Sequence, residues 1–211
     1  MAETTNIEWC DATLNLWHGC TKVSDGCKFC YAEHLSERRF KQGAWGPNGT
    51  RREVKSWRQT LGKISKRAEA EGRRLRVFCQ SMSDLFEGPE TCGGEDSDNW
   101  KLMCRLRDEL WDVWEDHSDL DFLVLTKRPQ NAAAWLSDLM IPGNVWIGTS
   151  VEGQATADER IPHLLEIDCA VRFLSCEPLL GPIEFAEEGF CCRRCSRLLT
   201  YGTEEDACNE T

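Results

Sequence analysis

The stretch Asp121-Phe122-Leu123-Val124-Leu125-Thr126-Lys127-Arg128-Pro129 decides the fold. Its four successive apolar residues show no polar alternation, which predicts a strand buried on both faces, as strands of parallel sheets are. Thr126-Lys127-Arg128 then ends the run with polar chemistry. Pro129 is an allowed first residue for the helix expected over 129–139. The same unit recurs on either side. Arg76-Val77-Phe78-Cys79-Gln80 predicts a strand that ends in Ser81-Met82-Ser83-Asp84. Residues 144–149 predict one that ends in Ser150-Val151-Glu152, and residues 170–175 one that ends in Cys176-Glu177-Pro178. Thr13-Leu14-Asn15-Leu16-Trp17 is a weaker first strand leading into Cys20.

Helical stretches lie between these runs. Residues 31–41 have helical character. Residues 57–72 keep Leu61, Ile64 and Ala68 on one face, with Gly72 placed to stop the helix. Residues 99–117 align Leu102, Leu106, Leu110, Val113 and Trp114 in one stripe. Residues 155–167 are helical with Pro162 expected to break or kink them. Strand then helix, repeated, is an α/β pattern. Polar residues at the C-terminal ends of successive strands build one site in a (β/α) barrel, whereas a doubly wound sheet concentrates them at one switch point. The expectation is a partial (β/α) TIM-like barrel over 1–186, with Ser83, Asp84, Thr126, Lys127, Ser150, Glu152 and Glu177 facing one cavity. A Cys-rich appendage over 187–211 follows it.

Composition bounds the function. With 41% hydrophobic and 29% charged residues in 211, the chain can bury a core and is not a disordered one. No apolar run approaches the roughly 18 residues of a membrane span. The acidic, polar start, Met1 to Glu8, is not a signal peptide. A cytoplasmic protein with no membrane partner is therefore expected. In that reducing compartment thirteen cysteines, an odd number, cannot be a disulfide framework. Cys79, Cys104 and Cys169 lie in apolar contexts and are expected to pack in the core. The others are candidate ligands. The net charge is −11, which suits nonspecific nucleic-acid binding poorly. Yet residues 51–76 hold ten Lys and Arg against three Glu, a local +7. This is either a solvated helix face or a patch for nucleic acid or another polyanion.

The sharpest motif is Gly19-Cys20-Thr21-Lys22-Val23-Ser24-Asp25-Gly26-Cys27-Lys28-Phe29-Cys30-Tyr31, three cysteines at C-x6-C-x2-C between a strand and a helix. Three thiolates on a short loop hold three corners of a tetrahedral or cubane site. Zinc would need a fourth ligand, with His18, His34 and Cys10 nearby in sequence. A 4Fe–4S cluster needs only three cysteines if a substrate takes the fourth iron. Spacing alone leaves both open. Aromatic Phe29 before the last cysteine, and the loop's place at the top of the first strand, favour the cluster. In the tail, Cys192-x2-Cys195-x12-Cys208 reads as three ligands of a zinc ribbon or knuckle. The missing fourth ligand, and the absence of a further barrel strand, suggest a chain that is a fragment.

The chain resembles a phage- and bacteria-encoded family of radical-SAM-like proteins, distant relatives of spore photoproduct lyase-type radical SAM enzymes. The stretches that carry the resemblance are Ile7-Glu8-Trp9, Gly19 to Ser24, Cys27-x2-Cys30-Tyr31-Ala32 and Ser81-Met82-Ser83-Asp84-Leu85-Phe86. They continue with Leu125 to Pro129, Trp146 to Glu152 and Ser175 to Pro182. The usual first gap of three residues is six here. A Gly-rich strand and C-terminal helix, expected after Pro182, are replaced by the Cys-rich tail. The resemblance implies that Cys20, Cys27 and Cys30 ligate a 4Fe–4S cluster whose fourth iron binds S-adenosylmethionine. A ferredoxin- or flavodoxin-like donor would supply the electron that cleaves the cofactor to a 5′-deoxyadenosyl radical, acting on an unknown substrate. Ser83 and Asp84 would hold the cofactor's amine or ribose. Thr126, Lys127 and Arg128 would meet its carboxylate or a substrate phosphate, and Glu152 and Glu177 ribose hydroxyls or substrate. Each of these side chains could instead cap a helix or pair at the surface. The alternatives are a non-catalytic zinc-binding phage accessory protein that engages nucleic acid or a host protein, and a degenerate barrel without catalysis.

Overall fold

A computed structural model describes residues 4–41 and 43–185. The strands are β1 (Ala12–Leu14), β2 (Trp17–His18), β3 (Arg52–Glu53), β4 (Leu75–Cys79), β5 (Leu120–Thr126), β6 (Val145–Ser150) and β7 (Val171–Ser175). The helices are α1 (Tyr31–Leu35), α2 (Trp57–Glu71), α3 (Asp98–Asp116), α4 (Pro129–Leu136) and α5 (Gln154–Glu166). Five strands form one sheet in the order β1-β4-β5-β6-β7, and every neighbouring pair is parallel. Strand order follows chain order without a reversal, so the sheet has no topological switch point. β2 and β3 form a small antiparallel ladder beside it.

Register sorts the side chains into two faces. Leu14, Cys79, Val124 and Ile147 lie in one row, and Ala12, Val77, Phe122 and Val145 in the next. All eight belong to the main buried cluster. So do Trp57, Leu61, Ile64 and Ala68 of α2, Met103, Leu106, Leu110 and Trp114 of α3, Ala132 and Leu136 of α4, and Leu164 of α5. The four long helices thus cover one face of the sheet. Each fully buried large side chain there contributes roughly 1.5–3 kcal/mol. The opposite face carries Thr13, Phe78, Leu123, Trp146 and Phe173, none of them in that cluster. Trp9 lies across it, 4.5 Å from the Phe78 ring and 6.2 Å from that of Phe173.

Local chemistry sets the boundaries. Gly72 ends α2 in the left-handed conformation, φ 63°. Ser97 caps α3 by accepting from the Trp100 amide. α5 runs unbroken through Pro162. The i−4 carbonyl that proline leaves without a donor belongs to exposed Asp158, where water can serve it. The expected first strand divides in two. Asn15 interrupts it, because its side chain turns to bond the segment after β4.

Candidate functional site

The carboxyl ends of the strands are joined by a buried polar network. At the first two ends, Asn15 donates from Nδ2 to Ser81 Oγ (2.9 Å) and accepts at Oδ1 from the Met82 amide (2.8 Å). Gln80, at φ 67°, accepts at Oε1 from the Leu16 amide (3.0 Å) and from Ser83 Oγ (3.1 Å). The Gly19 amide donates to the Met82 carbonyl at 3.1 Å, placing the Cys20 loop directly against the end of β4.

Asp84 is the hub. Its Oδ1 accepts from Thr126 Oγ1 (2.7 Å) and the Phe86 amide (3.0 Å). Its Oδ2 accepts from the Lys127 amide (3.1 Å) and Arg128 Nη1 (2.9 Å). Protein donors thereby fill a carboxylate's four acceptor positions. Burial would raise the Asp84 pKa, but Arg128 and these hydrogen bonds outweigh it and hold the carboxyl below its ordinary range. Arg128 is buried in turn, and donates to Cys20 Sγ at 3.6 Å and to the Thr21 carbonyl at 2.6 Å. Burial pushes the Cys20 thiol up to about 12, against the lowering effect of Arg128.

A second ion pair lies behind this one. Arg51 bonds both oxygens of Glu87, at 2.8 and 2.6 Å, with both side chains fully buried. Its Nη1 also donates to the carbonyls of Ala44, Gly46 and Gly49, and its Nη2 to Thr21 Oγ1. Arg51 therefore organises the 43–50 loop beneath the cysteine loop.

Glu152 anchors the cysteine loop from the other side. It accepts from Ser24 Oγ (3.0 Å) and Arg160 Nη1 (3.0 Å), and Lys127 Nζ is 3.4 Å away. A Cβ on Gly26 would collide with the Glu152 carboxylate, so the loop can approach this closely only with glycine there. Ser150 is buried, and its carbonyl accepts from Arg160 at 2.7 Å. Glu177 is exposed, in the segment whose Leu180 amide donates to the Glu152 carbonyl.

The structure thus brings Asp84, Thr126, Lys127 and Glu152 together, with Ser83 and Ser150 held beside them and Glu177 at the margin. Cys20, Cys27 and Cys30 share one loop. Cys27 Sγ lies 3.9 Å from Ser24 Oγ, and the Lys22 ammonium, held up mainly by Glu33, also senses Cys30 and Cys27. Among the described residues no three histidine, cysteine or acidic side chains are gathered into a group that could hold a metal ion, so the three sulfurs are not drawn to one point. Cys192, Cys195 and Cys208, with the rest of the expected 187–211 appendage, lie outside the described residues.

Sequence reasoning missed Arg51, Glu87 and Arg160. Arg51 sits in the basic stretch, where it reads as one surface charge among ten. At least six of those ten, Arg51, Arg58, Arg67, Arg73, Arg74 and Arg76, are in ion pairs with acids, so most of the segment's charge is already matched. No helix among the described residues is long and apolar enough to cross a membrane.

Comparison with curated proteins finds no match, and neither does comparison with solved structures. A family model does match, over residues 4–189, which takes in the whole sheet, the cysteine loop and the Asp84–Arg128 hub. The chain belongs to the family described as protein of unknown function DUF5131.

Proposed function

We propose that this chain is a radical-SAM-like iron–sulfur enzyme on part of a (β/α) barrel. The observation that carries the reading is the cysteine loop. Three thiols on eleven residues lie at the carboxyl ends of unreversed parallel strands, with the Arg128 guanidinium bonded to the first. Parallel strands in chain order, with the long helices on one face, are what a barrel segment requires. Arg128, bonded to Cys20 Sγ, would stabilise the thiolate that iron takes, against the burial that keeps the free thiol protonated.

On this reading Cys20, Cys27 and Cys30 would hold a 4Fe–4S cluster that works with S-adenosylmethionine. When bound and reduced by a ferredoxin- or flavodoxin-like donor, the pair supplies a 5′-deoxyadenosyl radical for hydrogen abstraction. The chain's own residues orient the site. Asp84 fixes Arg128, and Arg128 offers its proton to Cys20 Sγ. Glu152 and Gly26 hold the loop down. Lys127 is the partly exposed cation available to a carboxylate or phosphate, and Glu177 the exposed acid available to ribose or substrate hydroxyls. Thr126, Ser83 and Ser150 act through the groups they position.

The test is anaerobic reconstitution of the full chain with iron and sulfide. The expected result is a brown protein with broad absorption near ~400 nm, as thiolate-ligated clusters show, and formation of 5′-deoxyadenosine on reduction with S-adenosylmethionine. Cys20→Ala, Cys27→Ala and Cys30→Ala should each lose the absorption. A colourless protein that binds zinc stoichiometrically through these cysteines would overturn the reading.

A further inference from the structure

A cavity apart from the cysteine loop opens between α3, α4 and the segment after β4. It encloses about 420 Å³, within the range of small-molecule sites. Its walls include Phe86, Ala134, Trp100 and Trp135, and Arg107 lines it as well. The Arg107 guanidinium lies 4.9 Å from the Trp100 ring centre and 5.7 Å from that of Trp135. It is 7% exposed. Nε donates to the Leu85 carbonyl (2.7 Å) and Nη2 to the Glu87 carbonyl (2.6 Å). Nη1 has no partner among the described residues. Nη1 is not sealed from solvent, and the Arg107 side chain lines the cavity.

The charges around it do not balance. Three buried guanidiniums, Arg51, Arg107 and Arg128, adjoin two buried carboxylates, Asp84 and Glu87. Arg51 and Arg128 take those carboxylates in ion pairs. Arg107 hydrogen-bonds only carbonyl oxygens and forms no ion pair, so Asp84 and Glu87, both committed elsewhere, act on it only through space. A buried cation without an ion-pair partner of its own is costly, and one negative charge in the cavity would relieve it. Exposed Glu90 and Asp108 at the mouth oppose a multiply charged anion. Glu87, already paired with Arg51, and Asn131 also line it, and the rest of the wall is mainly aromatic and apolar.

We infer that this cavity binds a small monocarboxylate with an aromatic or branched apolar body, its carboxylate on Arg107 Nη1 and its body against Trp135 and Phe86. Neither the iron–sulfur reading nor the cysteine loop is needed for this.

Isothermal titration of the full chain with phenylacetate is the test, with phenethylamine and inorganic phosphate as comparison ligands. One saturable site for phenylacetate is expected, with either comparison ligand at least about tenfold weaker, as loss of a charge-assisted hydrogen bond implies. Ala134→Phe fills the cavity from an exposed position and should abolish binding while leaving the unfolding midpoint near that of the wild type. Arg107→Lys should weaken binding about tenfold, because the fork geometry is lost. Absence of phenylacetate binding up to roughly 10 mM, a concentration well above useful affinity, would overturn the inference. So would equal binding of phenethylamine, or unchanged binding in Ala134→Phe.

Discussion

At the scale of single residues, Asp84 carries the heaviest duty. It is buried, its four acceptor positions are filled, and it is the closest counter-charge of buried Arg128. Asp84→Asn keeps the shape but leaves that guanidinium facing Glu87 alone, at 3.9 Å. A loss of about 3 kcal/mol or more is expected in urea unfolding at neutral pH, as for other broken buried pairs. The pH dependence has a definite sign. The folded carboxyl titrates below its unfolded value, so its contribution is complete above about pH 4 and fades as pH falls through the folded pKa. The gap between wild type and Asp84→Asn should therefore narrow in acid. A gap constant from pH 7 to pH 3 would show that the carboxylate's charge is not what matters. Asp84, Thr126 and Lys127 are legible in the sequence because each lies in the polar stretch that ends an apolar run. Arg51 and Glu87 are not, since 36 residues separate them and nothing local to either announces the other.

At the scale of elements, glycines mark where two pieces touch. Gly148 of β6 sits beneath the Phe173 ring of β7, and a side chain there would strike that ring. Gly148→Val should cost about 1–3 kcal/mol, as overpacking does. It should also alter the near-ultraviolet dichroism of the Trp9–Phe173 contact. Unchanged stability and spectrum would mean that β7 can shift to make room. Gly26→Ala acts on the other contact, pushing the cysteine loop off Glu152. Iron uptake on reconstitution should fall while the urea midpoint moves little, because Gly26 lies outside the buried core. The long elements were legible for a simple reason. Each of α2, α3 and β4 to β7 joins a clear apolar period to a local stop, such as Gly72 or the polar triplet at 126–128. Elements set by contacts distant in sequence were not. β2 exists because Trp17 and His18 meet Glu53 and Arg52, a pairing no local pattern encodes. Pro162 was a stop signal that its exposed surroundings neutralised.

At the scale of the whole molecule, the unreversed strand order follows from repeated strand–helix units, each crossing over in the same hand. The cysteine total was legible as an anomaly, and among the described residues the structure buries Cys10, Cys79 and Cys92 while setting Cys20, Cys27 and Cys30 on one loop. That division has a consequence for the stability of the whole chain. Cys10 and Cys79 are buried in the body of the protein, and Cys20 is half-buried in the network above it. Burial pushes Cys10 up to about 11, Cys20 up to about 12, and Cys79 higher still. In the unfolded chain each thiol titrates near ~8.5. A group whose folded pKa is raised gives stability that is full below its unfolded pKa and is lost as pH rises towards the folded one. Between about pH 8.5 and 11 stability should thus fall by up to about 1.4 kcal/mol per pH unit for each thiol kept protonated. Urea unfolding in reductant, repeated from pH 7.5 to 10.5, should show a slope approaching two to three protons. Cys79→Ala opens a small cavity and lowers stability at every pH, but it should also remove one proton from the slope. A flat profile, or a slope that Cys79→Ala leaves untouched, would mean that these thiols meet water in the folded state.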